Sequence, residues 1–536
     1  MKLTSDGVWS VASRDLIRAS KCDHCVSISA AVAAGNTAVQ ERVEQFKDDP
    51  SASLIVIQGR EWEEIVFGTL AASVSNNEFL NIDNVVTDRF DATRDAVNAG
   101  VPIIAQAAVA TSMRGVNLVG KPDLIVRSDF RLAQREPGVV MAERIADVWG
   151  GGYTVWDVKN GSKVKPEYLI QLGQYITQLG DITEVTGAGI VHSWGKGVSP
   201  VEVAKASSHF QKAFDRLSRV LAAKTNTDWS TTEIESWSCP ERGTCSSIHC
   251  EYPNLCATTW KESDSVVLLP SFGSGNIKKL KAARFETVSS VALASESERP
   301  DSLKDETWRK FQSFAKVMAK ENLNGPSVEA FAGYEPSIPS PSSHDLFFDI
   351  EWFNPVTSDQ ALVFMFGVVD AHEEFKLFST DDFEGELQAF DDFLDFALSR
   401  GANAEGRVYH YNNPETIYLK KLSDRYGGHR AKDVKFLISR MVDLMKEAKR
   451  AFIPGSGSYS IKKLERYYDA DTKLHRNKMV KGGEDAMLNF HLRLDALREG
   501  DVSHADELLD NIAHYNKDDC LSTKLLRDWL LSPGKG

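Results

Sequence analysis

Two groups of acidic residues in this sequence have the types and spacing to hold a divalent cation. In the first, GKPDLIV places Asp123 at the edge of a predicted strand, and WDVK places Asp157 and Lys159 two apart on the next. Side chains two apart on a strand share a face, about 7 Å apart along it. One carboxylate and one ammonium therefore face the same pocket, and Asp123 joins them from the neighbouring strand. This is the equipment of phosphodiester hydrolysis. Carboxylates hold Mg²⁺ or Mn²⁺, which acidifies a bound water and neutralises charge on the phosphorane. The lysine orients the water or stabilises developing charge. Gln171 and Tyr175, four apart on the following predicted helix, line the same cleft.

The second group begins in FFDIEW, where Asp349 and Glu351 sit two apart in an otherwise apolar strand. Buried acids are costly without a metal or a partner. HYNKDDCLSTKLLRDWL reads as a helix with Tyr515 and Asp519 on one face. VYHYNNPETIYLKKL reads as a strand leading into a helix, with Glu415 at the junction.

The seven cysteines are Cys22, Cys25, Cys239, Cys245, Cys250, Cys256 and Cys520. An odd number argues against a complete disulfide framework. In a reducing compartment such clusters are metal ligands more often than disulfides. Cys520, near the second acidic group, reads as a buried small residue.

The elements that must position these residues follow from periodicity. VNLVGKPDLIVRSD has the short apolar runs and Gly-Lys-Pro-Asp punctuation of a hairpin, and YTVWDVKN reads as a strand entered through Gly150, Gly151 and Gly152. KPEYLIQLGQYITQLG is a helix with Leu169, Leu172, Ile176 and Leu179 at helical spacing. GAGIVHSW is a returning strand and SHFQKAFDRLSRVLAAK a second amphipathic helix, so residues 1–260 form an α/β core. Cys22 falls within a predicted first helix. Residues 261–335 read as a small helical connector: two short helices around a turn, then ETWRKFQSFAKVMAKENL. PSIPSPSSHD, 336–345, is the clearest linker. HDLFFDIEWF opens a second α/β unit, 346–536.

At 536 residues the chain exceeds a single core. Its 42% apolar and 26% charged composition is that of a globular protein. No apolar run approaches the roughly 20 residues of a membrane helix, and the N-terminus lacks a secretory apolar core, so the chain reads as cytoplasmic with no membrane partner. The net charge of −14 lacks the basic excess usual in nucleic-acid binders, although a locally basic face suffices.

GKPD, Asp-x-Lys on a strand and Gln-x-x-x-Tyr on the next helix, in this order, resemble the RecB-type branch of the PD-(D/E)XK nucleases over about residues 15–260. That resemblance implies a restriction-endonuclease-like core with Asp123, Asp157, Lys159, Gln171 and Tyr175 as its site. Family members often carry a metal-binding His on an early helix. Here the matching stretch is GREWEE, with Trp62 in that place. A Trp cannot ligate a metal, so either Glu63 supplies the ligand or the first metal site is depleted. Several RecB-type nucleases hold a 4Fe–4S cluster with one N-terminal and three later cysteines, which implies Cys22, Cys245, Cys250 and Cys256 here. Such a clasp would restrict the unfolded chain by on the order of 5 kcal/mol. Zinc is the competing metal, and Cys25 and Cys239 could substitute in either site.

Asp349, Glu351, Glu415, Tyr515 and Asp519 together resemble the ribonuclease H-like DEDD 3′–5′ exonucleases, with SYSIKKLERYY and Asp443 similar to the middle of that fold; the resemblance implies four carboxylates that clamp two metals roughly 4 Å apart for in-line attack and a tyrosine that orients the water. Glu415 stands where Asp is usual, with Asn412 and Asn413 nearby. The connector, GNIKKLKAARFETVSSVALA, resembles half of a helix-hairpin-helix element, whose Lys278, Lys279, Lys281 and Arg284 would contact phosphates. The two modules in series resemble a group of bacterial RecB-like nucleases, some of which continue into a helicase. By that resemblance the chain is a short member or a fragment, with a helicase as partner in cis or trans.

The expectation is a Mg²⁺- or Mn²⁺-dependent nuclease acting on DNA single strands or duplex ends, exonucleolytic, in repair, recombination or defence. Two alternatives stand beside it: an Fe–S nucleic-acid-binding scaffold with decayed sites, and an RNA-processing exonuclease.

Overall fold

The computed structural model describes residues 1–46, 54–84, 88–232, 250–273, 275–402, 405–469, 473–476 and 479–531. These divide into two compact units, Met1–Glu262 with Pro355–Asp359, and Ser263–Asn354 with Gln360–Gly536.

In the first unit, helices α1 (Ser13–Lys21), α2 (Asp23–Ala33) and α3 (Leu54–Ser73) precede a six-stranded mixed sheet. Its strands are β1 (Phe79–Asn81), β2 (Ile103–Ala105), β5 (Leu124–Arg127), β6 (Tyr153–Val158), β7 (Val185–Val191) and β8 (Val198–Val201), in the order β8-β7-β6-β5-β2-β1. Two further strands, β3 (Val109–Met113) and β4 (Val116–Gly120), pair with each other and, through β4, with Trp9–Val11 in a separate four-stranded sheet. Period-two alternation gives β6 two buried faces. Tyr153 and Val155 pack under α4 (Pro166–Leu179), while Trp156 and Val158 pack with Trp62, Val66 and Leu70 of α3. The apolar stripe of α4 also meets α5 (Val203–Ala222), where a Cβ at Gly173 would collide with the Ala206 carbonyl.

Two sequence expectations change here. VNLVGKPDLIVRSD is not a hairpin, because β4 and β5 belong to different sheets. Pro122 has no N–H to donate to a ladder, so the chain changes sheets at GKPD and Asp123 stands at the crossing. Cys22 is not inside a helix. Its backbone is extended (φ −153°), and it separates α1 from α2 while its sulfur caps the Cys25 N–H at 3.4 Å.

In the second unit the connector forms α6 (Asn276–Ala282), α7 (Val288–Leu293) and α8 (Asp305–Asn324), packed around Trp308, Phe311 and Phe314. The segment expected to be a linker has no helix or strand and keeps contact with its unit. Ile338 is buried and the Ser337 N–H donates to Glu447 at 3.4 Å. A five-stranded sheet follows, from β9 (Leu346–Phe353), β10 (Leu362–Asp370), β11 (Phe375–Ser379), β12 (Val408–His410) and β13 (Met441–Asp443), in the order β11-β10-β9-β12-β13. β9 and β10 are antiparallel, whereas β9, β12 and β13 are parallel. The helices that bear on the site are α9 (Pro414–Arg425), α10 (Ile461–Tyr468) and the closing α11 (Val502–Leu531).

One buried ion pair ties α11 to β9. Arg527 Nη1 meets Asp345 Oδ2 at 2.5 Å, with its guanidinium over the Phe347 and Tyr409 rings at 4.8 and 5.0 Å. Asp345 also accepts from the N–H groups of Ser342 and Arg407. Removing one partner of such a pair strands a buried charge, which costs about 3–5 kcal/mol. Arg527→Ala should therefore lower unfolding stability by that amount in urea titrations. The Asp345→Ala/Arg527→Ala double variant should lose clearly less than the sum of the single variants.

Candidate functional site

In the first unit the site lies where β6 ends and α4 begins. Asp157 is fully buried on β6, and Lys159 Nζ lies 2.7 Å from its Oδ2 and 3.8 Å from Asp123 Oδ2. The Val158 N–H donates to Asp123 Oδ2 at 2.6 Å, fixing that carboxylate against β6. From α4, Gln171 Nε2 donates to Asp157 Oδ1 at 3.1 Å and to the Tyr175 hydroxyl at 2.7 Å. The Gly of GKPD has a steric reason: a Cβ at Gly120 would press on the Tyr175 ring and on Gln178. Asp123, Asp157, Lys159, Gln171 and Tyr175 are thus brought together.

Trp62 is buried in the apolar core and meets Trp194 edge-on at 6.4 Å. Glu63, next along α3, interacts with Asp123 and Lys159 and accepts from Gln106 Nε2 at 3.3 Å. Sequence reasoning missed Gln106, because no local pattern marks it. Its φ of +52° is unusual for a non-glycine residue, and its N–H donates to the Asp123 carbonyl at 2.9 Å. Burial and the neighbouring Asp123 push the Glu63 carboxyl up to about 7. Burial likewise holds Asp157 well above the usual carboxylate range, against the pull of Lys159. Burial alone would lower Lys159, but Asp157 and Asp123 outweigh it and keep the ammonium charged.

In the second unit Asp349 and Glu351 lie on β9 opposite Gly367 and Met365 of β10. Tyr515, Asn516 and Asp519 descend on them from α11. Asn516, completely buried, donates to Asp349 Oδ2 at 2.9 Å and also bonds Glu351. A Cβ at position 367 would overlap the Asn516 amide, so glycine there lets α11 approach the strand. Glu415, at the first turn of α9, is buried and shares a hydrogen bond of 3.2 Å with His410 Nδ1. Burial pushes Asp349 well up, with Glu351 and Asp519 adding to it. Burial and then Asp519 push Glu351 up to about 8. Burial also raises Glu415, with His410 opposing. Asp443 caps the helix after β13 and accepts from the Asn412 N–H at 3.1 Å.

Four residues here were not singled out from sequence: His410, Asn516, Lys462 and Arg476. Lys462 donates to the Tyr515 hydroxyl at 3.2 Å and stands 4.4 Å over its ring. Arg476 bonds Asp519 and Glu465. His410, Asn516 and Lys462 fall inside stretches already quoted for other residues, whereas Arg476 carries no local signal.

The donor chemistry at both places suits a hard divalent cation: buried carboxylates that raise one another's affinity for protons. Among the described residues, however, no group of three or more His, Cys, Asp or Glu side chains is placed so as to hold a metal ion. Lysine and arginine stand on the acids instead. Of the expected cluster ligands, Cys22 and Cys256 are buried and Cys250 is half-buried, while Cys245, like Cys239, lies outside the described residues. It is Cys25 whose thiol is bonded to Cys250, and that contact, with burial, pushes the thiol up. Cys520 is fully buried and bonds the Gly367 carbonyl. Lys278, Lys279 and Lys281 lie on the seven-residue α6, and Arg284 follows it at φ +66°.

Residues 346–531 match a family model described as RNase_H_2, of the RNase_H superfamily. The match spans the five-stranded sheet and α11, so this part of the second unit is ribonuclease H-like. No curated protein matches the chain.

Protonated acids give a pH signature. With Glu63 at about 7 and Glu351 at about 8, the native state keeps protons that an unfolded chain, with carboxyls near 4.5, has released. Their contribution to stability is therefore full below about pH 4.5 and is lost as pH rises through 7–8. Between about pH 5.5 and 8 the melting temperature of EDTA-treated protein should carry this falling component. Mn²⁺ should raise it at the alkaline end and hardly at all at the acid end. Scanning fluorimetry across that range checks both.

Proposed function

We propose that the chain is a divalent-metal-dependent nuclease that hydrolyses phosphodiester bonds of DNA, working exonucleolytically from single strands or duplex ends. The observation that carries this reading is the meeting of Asp349 and Glu351 on β9 with Tyr515 and Asp519 of α11 inside a ribonuclease H-like sheet. A bound Mg²⁺ or Mn²⁺ would supply an acidified water and charge neutralisation at the phosphate. Asp349, Glu351, Glu415 and Asp519 would hold it. Asn516 orients the Asp349 carboxylate, and the Tyr515 hydroxyl, which accepts from Lys462 and bonds Asp519, stands beside the acids where an attacking water would be oriented.

The first unit adds a second centre of RecB type. Asp123 and Asp157, with Glu63 in place of the family's histidine, would hold the metal. Lys159 stays charged to stabilise the phosphorane, and Gln171 and Tyr175 fix Asp157. Cys22, Cys245, Cys250 and Cys256 are proposed as a 4Fe–4S or zinc clasp, supported by the closeness of the α2 thiol Cys25 to Cys250. Repair, recombination or defence is the setting proposed for such an activity, with a helicase as partner.

One observation favours a second reading, a nucleic-acid-binding scaffold: the acids are engaged by Lys159 and Arg476 rather than gathered into a ligand shell. Cleavage assays separate the two. Anaerobically purified protein should degrade end-labelled DNA with Mg²⁺ or Mn²⁺. Asp157→Ala and Asp349→Ala should each remove at least tenfold of one component, with the double variant inactive. A scaffold would bind the same DNA and leave it intact, and matched RNA oligonucleotides test the polymer. The visible spectrum of the same preparation tests the cluster, since a colourless, zinc-loaded protein would exclude iron–sulfur.

A further inference from the structure

Arg476 is held at two places that are not equivalent. Its Nε lies 3.3 Å from Glu465 Oε2 and its Nη2 bonds Glu465 Oε1, so one carboxylate takes the Nε–Nη2 edge of the guanidinium as a fork. Such two-bond pairs fix geometry as well as charge. Glu465 is itself fixed, because Ser522 of α11 donates to its Oε1 at 2.9 Å. Among the described residues the remaining arm, Nη1, bonds Asp519 Oδ1. Arg476 is thus anchored through one edge and reaches Asp519 with a single arm, and its side chain is 26% exposed while Asp519 is 14% exposed. Asp519 is also the acid whose charge bears on Asp349 and Glu351.

A guanidinium and a divalent ion compete for one carboxylate. If a metal takes Asp519, Arg476 need not leave, because the Glu465 fork does not involve the contested oxygen. Its Nη1 N–H groups are then left without an acceptor beside a metal that attracts phosphate. Guanidinium N–H groups fit phosphate oxygens as well as carboxylate oxygens.

We propose that Arg476 is an exchangeable cation of this site: it neutralises Asp519 while no metal is bound, and once metal takes Asp519 its freed arm binds the phosphate of the nucleic-acid strand. This rests on the reading of Asp519 as a metal ligand. It makes Arg476 a substrate-binding residue and Glu465 its positioning residue. It also predicts that metal and nucleic acid bind with positive coupling, since each favours the same position of one arm.

The test uses the full chain and two readouts other than cleavage: Mn²⁺ affinity by electron paramagnetic resonance without nucleic acid, and anisotropy of a fluorescent single-stranded oligonucleotide with Ca²⁺ as the ion. Arg476→Gln should bind Mn²⁺ on the order of tenfold more tightly, a shift of about 1.4 kcal/mol, because its competitor is gone. The same variant should bind the oligonucleotide on the order of tenfold more weakly, again about 1.4 kcal/mol. Arg476→Lys should recover part of the oligonucleotide affinity. Glu465→Gln should weaken oligonucleotide binding while leaving Mn²⁺ affinity at or above wild type. A merely structural arginine would give the opposite sign, with Arg476→Gln weakening Mn²⁺ binding as Asp519 loses its support, and that result overturns the proposal. Unchanged affinities in Arg476→Gln also overturn it, provided Asp519→Asn abolishes Mn²⁺ binding at this site. If Asp519→Asn leaves Mn²⁺ binding as in wild type, the metal-site reading itself fails, and the exchange fails with it.

Discussion

The constraint on which the rest of this structure depends is an excess of buried negative charge. Glu351 is buried beside the half-buried Asp349 in the central strand of one sheet, and Asp157 is sealed beneath a helix in the other unit. An isolated buried carboxylate is costly, and adjacent ones raise each other's cost. A fold keeps such groups only where something supplies positive charge or protons. Here both happen: Lys159 and Arg476 lie on the acids, and Glu63 and Glu351 are shifted towards neutrality. A divalent ion would relieve the same excess more completely, which is the physical content of the nuclease reading.

The scaffold is built so that this excess cannot relax by moving apart. In the second unit Gly367 removes the Cβ that would hold α11 off the sheet, Asn516 bonds across to β9, and Arg527–Asp345 pins the same helix to the same strand. In the first unit Gly120 leaves room for Tyr175, and the Val158 N–H holds Asp123. Small residues and buried polar contacts at long sequence separation therefore set the acids' spacing, and the apolar core fills the space around them.

Residues whose roles follow from their own element were legible in the sequence. Asp157 with Lys159, Asp349 with Glu351, Gln171 with Tyr175 and Tyr515 with Asp519 are each paired by strand or helix periodicity, and the structure puts each pair on one face. Contacts between elements were not legible. Gln106 and Arg476 reach the acids from segments whose local pattern says nothing about where they point. The supposed hairpin at GKPD failed for a related reason: turn punctuation shows that a strand ends, not which sheet the next strand joins. Composition likewise could not show that Ile338, inside the stretch read as a linker, finds a buried seat. Cys22 was placed in a helix because the break between α1 and α2 has neither Gly nor Pro to mark it.

The central claim is that these buried acids are metal sites. The most direct measurement is anomalous diffraction from crystals soaked in Mn²⁺ near pH 8, read as difference density at the manganese edge. A peak is expected within coordination distance of Asp349, Glu351 and Asp519 and another beside Asp123 and Asp157, with Arg476 Nη1 withdrawn from Asp519. Crystals that take up manganese elsewhere, while Lys159 and Arg476 keep their places on the acids, would contradict it.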